Sequence, residues 1–228
     1  MNDTMTIKLA RAAVLATVLL LGTAAEAQYT YVAGGHPGLE KGETAFILDY
    51  EISAPVGSFK NFISDWSFRG FSIEGRYMVT PKISIGGAFA GNRWQQTNSN
   101  LQVDISNNNA SGNISGPVFR YTDDLSLKLV AHYYLTEGKL QPYVGVGVGG
   151  AWVYSYAQVV DLALSHDSFD FIVSPEIGLL YELASGSTSL AVNLAVRYTY
   201  TTADLVNGRA SNISWLTLPV VGLAWTYY

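Results

Sequence analysis

The feature that most constrains the fold is a strict two-residue alternation at residues 189–200, SLAVNLAVRYTY. Large apolar side chains occupy every second position, and small, polar or charged side chains occupy the positions between them. Because side chains along a β-strand point alternately to its two faces, this pattern predicts a strand with one apolar and one polar face. Its length of about 12 residues suits a tilted strand that crosses a bilayer.

Residues 1–27 have the composition of a secretory signal peptide. The start is basic, residues 12–22 are apolar, and Ala-Glu-Ala at 25–27 is a cleavage signal of small residues around a variable position. The apolar run is shorter than the roughly 20 residues that a membrane-spanning helix needs. We therefore expect export, with cleavage before Gln28.

The composition excludes several classes of protein for the exported chain. With a formal net charge of −5, the protein lacks the basic surface of a nucleic-acid binder. It contains no cysteine, which excludes a disulfide-stabilised scaffold. It is rich in apolar residues, yet beyond the signal peptide no apolar run reaches the roughly 18 residues of a membrane helix. A closed β-barrel is then the structure that satisfies its backbone groups inside a bilayer.

Eight segments repeat the alternation and are predicted to be strands. They are residues 43–53, 67–79, 83–93, 120–135, 141–156, 169–183, 189–201 and 214–228. Away from the strand ends the apolar rows carry no charge, as contact with lipid requires. The predicted fold class is all-β, an eight-stranded antiparallel transmembrane up-and-down β-barrel at residues 43–228, preceded by an irregular periplasmic lead-in at residues 28–42.

The connections between these strands alternate in length. The long ones are rich in Asn, Ser, Gly and Asp, and they are residues 54–66, 94–119, 157–168 and 202–213. Transmembrane barrels have short periplasmic turns and long outer loops, so the long segments are expected outside the cell and both termini in the periplasm. Loops on a rigid scaffold often carry binding function, and the segment 94–119 is as much a binding candidate as a solvated loop.

Aromatic side chains mark both ends of the predicted strands. The tryptophans beside the long connections are Trp66, Trp94, Trp152 and Trp215. The aromatic residues near the short turns are Tyr77, Tyr133, Tyr134, Tyr143, Tyr181 and Trp225, and the last residue of the sequence is Tyr228. Two such groups predict the aromatic belts that lie at the two membrane interfaces.

Three positions depart from the regular pattern. Pro175 and Pro219 lie inside predicted strands, where proline removes a ladder hydrogen bond, so we expect a bulge at each. In the eighth strand two alternate rows compete for the apolar face. Arg93 shares the apolar phase of its strand near the outer end, where it can extend to the headgroups.

Three segments resemble small outer-membrane β-barrels of Gram-negative bacteria. They are GKLQPYVGVGVG at 138–149, MVTPKISIGG at 78–87 and SPEIGL at 174–179. The chain is similar to the opacity-protein and OmpW-like group over most of its exported length, and the likeness is architectural. It implies an eight-stranded barrel in the outer membrane. Members of these families range over adhesion, immune evasion, small-solute passage and membrane integrity, so the likeness transfers fold better than function.

Charged side chains on the inward row form the main candidate site. They are Asp49, Glu74, Arg76, Lys128, His132, Glu176 and Arg197. The interior of an eight-stranded barrel is just wide enough for side chains, so opposite charges there are expected to pair. The favoured interpretation is a structural ionic plug, and the alternative is a selective polar pathway or gate.

Other motifs do not support catalysis or cofactor binding. His166 lies in Ser-His-Asp-Ser at 165–168, which contains the residue types of a Ser-His-Asp catalytic triad. Adjacent residues of a loop do not form a triad, which is defined by its geometry. The alternating glycines at 145–150 lie inside a predicted strand with no helix after them, so they fail the context of a nucleotide loop and are expected to make room for a bulky side chain such as Tyr143. No His, Asp and Glu stand at metal-ligand spacing, so no metal, cofactor or catalytic residue is predicted.

The predicted function is non-enzymatic. We expect a monomeric outer-membrane scaffold, in contact with membrane lipid and lipopolysaccharide, whose four long loops bind an external ligand or host surface or support envelope integrity. The alternative is a narrow channel for small or amphipathic solutes. A lipid-modifying enzyme is disfavoured because no inward Ser/His/acid set is evident. A soluble lipocalin-like carrier is disfavoured by the charged inner rows and the aromatic belts.

Overall fold

A computed structural model of the chain describes residues 38–107, 110–159, 162–184, 188–206 and 210–227. The predicted signal peptide at 1–27, most of the predicted lead-in and Tyr228 lie outside the described residues. Among the residues described, no helix is long and apolar enough to cross a membrane.

The described chain forms eight antiparallel strands and one short helix, α1 (Gly57–Phe62). The strands are Thr44–Val56 (β1), Ser67–Thr80 (β2), Ile83–Asn107 (β3), Ala110–Tyr134 (β4), Leu140–Val159 (β5), Leu162–Ala184 (β6), Thr188–Thr201 (β7) and Ser214–Tyr227 (β8). Each strand pairs with the next, and β1 also pairs with β8, so the sheet closes into a barrel. The predicted eight-stranded up-and-down barrel is therefore confirmed.

The two faces of each strand differ as the alternation predicts. On β1, Ile47 and Asp49 are buried inside the barrel, whereas the outward side chains of Phe46 and Leu48 are 43% and 44% exposed. Outward apolar side chains on β2 to β8 are exposed in the same way. A barrel with a buried polar row inside and an exposed apolar row outside matches the surface that lipid requires.

Two of the predicted loops are wrong, because the strands continue through them. β3 and β4 are 25 residues each and pair as far as Asn107 and Ala110, with one register shift between Asn98 and Leu101, so most of the segment 94–119 is a long hairpin. The segment 157–168 likewise belongs mostly to the β5–β6 hairpin. Their Asn, Ser and Gly content resembles that of a loop, yet the backbone groups of two neighbouring strands satisfy each other in a ribbon whatever the side chains are.

The other two long connections are irregular in different ways. Within 54–66 the chain forms α1, whose Phe59 and Phe62 are buried. Within the described part of 202–213, a single bridge joins Asp204 to Ser211. Both segments fold over the hairpin end of the barrel, the end at which β1–β2, β3–β4, β5–β6 and β7–β8 are connected.

The two strand prolines behave differently. Against β1, Val221 pairs with Tyr50 but Pro219 pairs with Glu51, a one-residue shift that confirms the bulge predicted there. The shift also explains the competing rows of β8, because the inward phase changes across it. The bulge predicted at Pro175 is wrong: pairing with β7 is interrupted beside it, but the register before and after is the same.

Candidate functional site

The lumen holds three consecutive layers of side chains, which the inward row of β1 crosses in turn. Ala45 and Ile47 belong to an apolar cluster at the short-turn end. Asp49 and Glu51 lie in a charged middle layer, and Ser53 follows at the hairpin end, where its carbonyl accepts a hydrogen bond from Trp94 Nε1 at 3.1 Å. An eight-stranded barrel leaves room for side chains and little else, so each layer fills its section of the lumen.

Arg76 on β2 is the first centre of the charged layer and is fully buried. Its Nε donates to Glu74 Oε1 at 2.6 Å, and its Nη2 lies 3.5 Å from Glu176 Oε1. Nη1 and Nη2 also donate to the hydroxyls of Tyr134 and Tyr143, each at 3.2 Å. The planar guanidinium thus binds two carboxylates and two phenols. One of these partners lies on its own strand, and the other three lie on β4, β5 and β6.

Arg197 on β7 is the second centre. Its Nε donates to Glu176 Oε2 at 2.6 Å, and its Nη1 donates to Glu51 Oε1 at 2.7 Å. Glu51 was absent from the predicted constellation, although it stands two residues after Asp49 in the same inward row. The two arginines share Glu176, which joins them into one network.

His132 on β4 completes the pairing. Its Nε2 lies 2.8 Å from Glu176 Oε1 and 3.4 Å from Glu74 Oε1, and its Nδ1 lies 3.3 Å from Ser84 Oγ. The expectation that no inward Ser/His/acid set exists is therefore wrong in geometry. Ser84, His132 and Glu176 come from three strands, and only the register of the closed barrel brings them onto one rung.

Asp49 and Lys128 lie at the edges of the network. Asp49 accepts hydrogen bonds from Asn193 Nδ2 at 3.1 Å and from Ser72 Oγ at 3.3 Å, so it is bound by neutral groups. Lys128 is buried, and no carboxylate of the described residues lies within ion-pair distance of its Nζ. The structure thus brings Glu74, Arg76, Glu176 and Arg197 into ion pairs, hydrogen-bonds His132 to Glu176, and leaves Asp49 and Lys128 outside the ion pairs.

Glycines make room for the bulky side chains of the network, as predicted, but the side chain beside Gly145 is that of His132 and not Tyr143. A methyl group added at Gly145 would fall against the ring of His132, and one added at Gly178 would fall against the ring of Tyr143. A methyl group at Gly222 would meet the carboxylate of Asp49. The pattern of alternating glycines therefore indicates where bulky inward side chains cross the lumen.

The acidic and imidazole groups also meet the spacing of a metal site. One ligand atom each of Glu74, His132 and Glu176 lies within 4.8 Å of the others. Both carboxylates are, however, bound to the guanidinium groups of Arg76 and Arg197. A divalent cation placed there would lie beside two buried positive charges, so the donor set fits an ion-pair network better than a metal.

The predicted interface aromatics divide into two groups. Trp66 and Trp152 are 55% and 45% exposed on the outer surface, and Trp225 packs there beside Phe46. Trp94 and Trp215 were assigned to the outer belt, but the structure places both inside the barrel. Tyr134 and Tyr143 are likewise buried in the lumen.

Trp94 and Trp215 face inward because they pack with α1 in an apolar cluster at the hairpin end. Their ring centroids are 5.1 Å apart, and Phe59 lies edge-on to Trp94 at 5.1 Å. Phe62 and Ile213 extend the same cluster. The helix and the tryptophans together form an apolar cap over the charged layer.

Comparison with known proteins identifies the fold. The sequence matches the family described as "Outer membrane protein beta-barrel domain" over residues 13–215. No curated protein matches the sequence. The crystal structure of Ail, the attachment invasion locus protein of Yersinia pestis, is similar at 12% identity and a TM-score of 0.50, covering 82% of this chain and 99% of that one.

Two further solved structures are similar to this chain. Ail in complex with the heparin analogue sucrose octasulfate is 14% identical with a TM-score of 0.50, over 82% of this chain and 99% of that one. Neisserial surface protein A is 13% identical with a TM-score of 0.45, over 81% of this chain and 95% of that one. At these identities the likeness concerns the fold alone.

Proposed function

Because this chain belongs to the outer membrane protein β-barrel domain family, we propose that it is a non-enzymatic surface scaffold with a closed lumen, whose outer hairpins bind an external partner. The protein resides in the outer membrane. In transmembrane barrels the long connections lie outside the cell, so the hairpin end is the outer end. The long β3–β4 and β5–β6 hairpins then stand above the membrane on one side of the barrel.

The filling of the lumen is the observation that carries this proposal. An apolar cluster lies at each end, and the charged layer lies between them. Moving an ion through the apolar cap would strip its water without supplying a polar substitute, at a cost of several kcal/mol. A scaffold function uses the rigid wall and the outer hairpins, and it needs no opening.

The buried Ser84, His132 and Glu176 set is the feature that favours a second candidate, a lipid-modifying hydrolase. Three observations speak for a structural role instead. Ser84 is fully buried, Glu176 is bound by two arginines, and the Nδ1–Oγ separation of 3.3 Å belongs to a weak hydrogen bond. A scissile ester would have to displace the short-turn cluster to reach Ser84.

Binding of an external partner is supported by the hairpin architecture. Binding residues are often found on the exposed connections of a rigid scaffold. A protein with this fold, Ail of Yersinia pestis, has been crystallised with a sulfated sugar. For this chain the partner is proposed to contact the upper parts of β3 and β4.

Single-channel recording on the purified protein in planar bilayers tests the closed lumen. We expect no discrete conductance steps from the wild type, after the shift between boiled and unboiled gel bands has shown that the barrel is folded. The matched control is Arg69→Ala, which removes an arginine exposed on the outside of the barrel and leaves the lumen unchanged. Reproducible steps in the wild type that change in Arg197→Ala but not in the control would make the channel interpretation correct.

Two further readouts separate the remaining functions. Replacing residues 98–112 by a short turn should abolish adhesion of expressing cells to epithelial monolayers while the gel shift persists. A hydrolase would alter the acyl chains of lipid A or phospholipid on overexpression and would lose this activity in Ser84→Ala. Such a change in acyl composition would contradict the non-enzymatic proposal.

A further inference from the structure

The outward face of the barrel wall changes character at a defined height on β4. From Tyr133 to Leu125 the outward row is apolar, with Leu129 and Leu127 exposed at 73% and 47%. Eight residues span about 26 Å along the strand and, at a tilt of about 40°, about 20 Å of height. Leu125 therefore lies close to the upper edge of an apolar band that is about 25 Å tall in such barrels.

The next rung above this edge is polar across four strands. Arg93, Asp123, Tyr154 and Asp167 are successive register partners on β3, β4, β5 and β6. Arg93 Nε and Nη2 donate to Asp123 Oδ1 and Oδ2, both at 2.5 Å. A bidentate ion pair of this kind is held in one geometry, so the rung presents fixed donors and acceptors at the membrane surface.

Tyrosine rings lie directly beside this ion pair. Tyr121 stacks on Tyr156 with ring centroids 5.0 Å apart and an interplanar angle of 27°, and its centroid lies 5.7 Å from that of Tyr154. The guanidinium carbon of Arg93 lies 5.4 Å from the centroid of Tyr121. The three rings and the Arg93–Asp123 pair form one continuous outward surface, the tyrosine face.

We propose that the tyrosine face binds the core sugars of the lipopolysaccharide molecules that surround the barrel. A sugar ring offers apolar C–H faces and a rim of hydroxyls, and aromatic rings next to a fixed ion pair match both. Arg93 is neutralised by Asp123, so the surface favours a polyhydroxyl ligand over a phosphate. The face occupies the first two outward rungs above the lipid-facing row, Asp123 with Tyr154 and then Tyr121 with Tyr156. This position is at the level of the headgroups and sugars, which selects a ligand anchored in the same membrane.

This inference deepens the proposed scaffold function by naming a partner for the side wall. It rests on outward residues alone and does not require the lumen to be closed. A protein that binds the glycolipid around it is oriented and held by the membrane, so the hairpin tips stay free for an external partner. Failure of the sugar proposal would leave the conductance and adhesion results unchanged.

The test compares two ligands on the full protein purified from outer membranes in detergent. One ligand is lipopolysaccharide that carries its core oligosaccharide, and the other is lipid A, which has the same anchor without the core sugars. Titration calorimetry gives a dissociation constant for each. We expect wild-type protein to bind the core-bearing ligand about 25-fold more tightly, and the double variant Tyr121→Ala/Tyr156→Ala to lose about fivefold of that preference for each ring removed, which abolishes it.

Tyr133→Ala is the matched control, because Tyr133 is an outward tyrosine of the same strand at the opposite edge of the apolar band. Its preference should equal that of the wild type, and gel shifts should show that all variants are folded. If the double variant does not fold, Tyr154→Ser provides the same comparison with a single ring. The proposal is overturned by equal affinity of the wild type for both ligands, by an equal loss in Tyr133→Ala, or by a loss confined to Arg93→Gln, which would indicate a phosphate contact.

Discussion

The charged middle layer and the apolar cap of the lumen occupy neighbouring sections of the same tube, yet different forces hold them together. Side chains in both are almost fully buried. In the middle layer the paired groups depend on named partners, as Arg197 depends on Glu51 and Glu176. In the cap, Trp94, Trp215 and Phe59 depend on contact area and on edge-on ring geometry.

Because of this difference, the two layers contribute differently to the stability and to the strand register of the barrel. Bringing charges into a narrow lumen costs several kcal/mol of desolvation per ion, which the ion pairs offset when their geometry is good. The pairs therefore add little net stability but penalise any register in which a charge loses its partner. Burial of aromatic area in the cap is favourable without such conditions. The middle layer is thus expected to specify the register of the barrel, and the cap to stabilise it.

The largest effect is expected from Arg197→Ala. The substitution leaves Glu51 and Glu176 buried without their main cation, and removing one partner of a buried pair typically costs about 3–5 kcal/mol. Reversible urea unfolding in lipid bicelles would measure the loss. Arg69→Ala, on the exposed surface, should change the free energy of unfolding by less than about 1 kcal/mol. Similar losses in both variants would show that pairing in the middle layer is not what the lumen depends on.

A somewhat smaller loss, about 3 kcal/mol, is expected from Trp94→Ala. The substitution removes two ring contacts and one hydrogen bond to Ser53, and it leaves a cavity that the surrounding rings fill only in part. Trp66→Ala is the control, because its ring is 55% exposed. If Trp66→Ala were the more destabilising of the two variants in the same urea titration, the conclusion that the apolar cap stabilises the barrel would be wrong.

The sequence predicted the parts of this structure that depend on alternation, and it missed those that depend on closure. The strand positions and their two faces follow from a period of two, which each segment carries by itself. The length of the β3–β4 hairpin does not, because its polar residues look like a loop until a partner strand is present. The inward position of Trp94 was missed because the cap that covers it comes from distant segments.

The candidate site shows the same division. The alternation placed Glu74, Arg76 and Glu176 on the inward face. Which of the inward side chains form pairs is set by the register of the strands around the barrel. Glu51 could have been found from its spacing to Asp49 in the same row. The Ser84–His132–Glu176 rung could not, because three strands that are separate in sequence contribute to it.

The smallest effect, about 1–3 kcal/mol, is expected from Gly145→Ala, and it tests whether the middle layer is held in one geometry. The new methyl group would push the His132 ring from a position fixed by Glu176 and Ser84. Gly87→Ala is the matched control, since its methyl group would meet only the carbonyl oxygen of Lys128, at 3.8 Å. Gly87 faces outward, so its methyl group leaves the lumen unchanged, and equal urea midpoints for the two variants would contradict a middle layer held in one geometry.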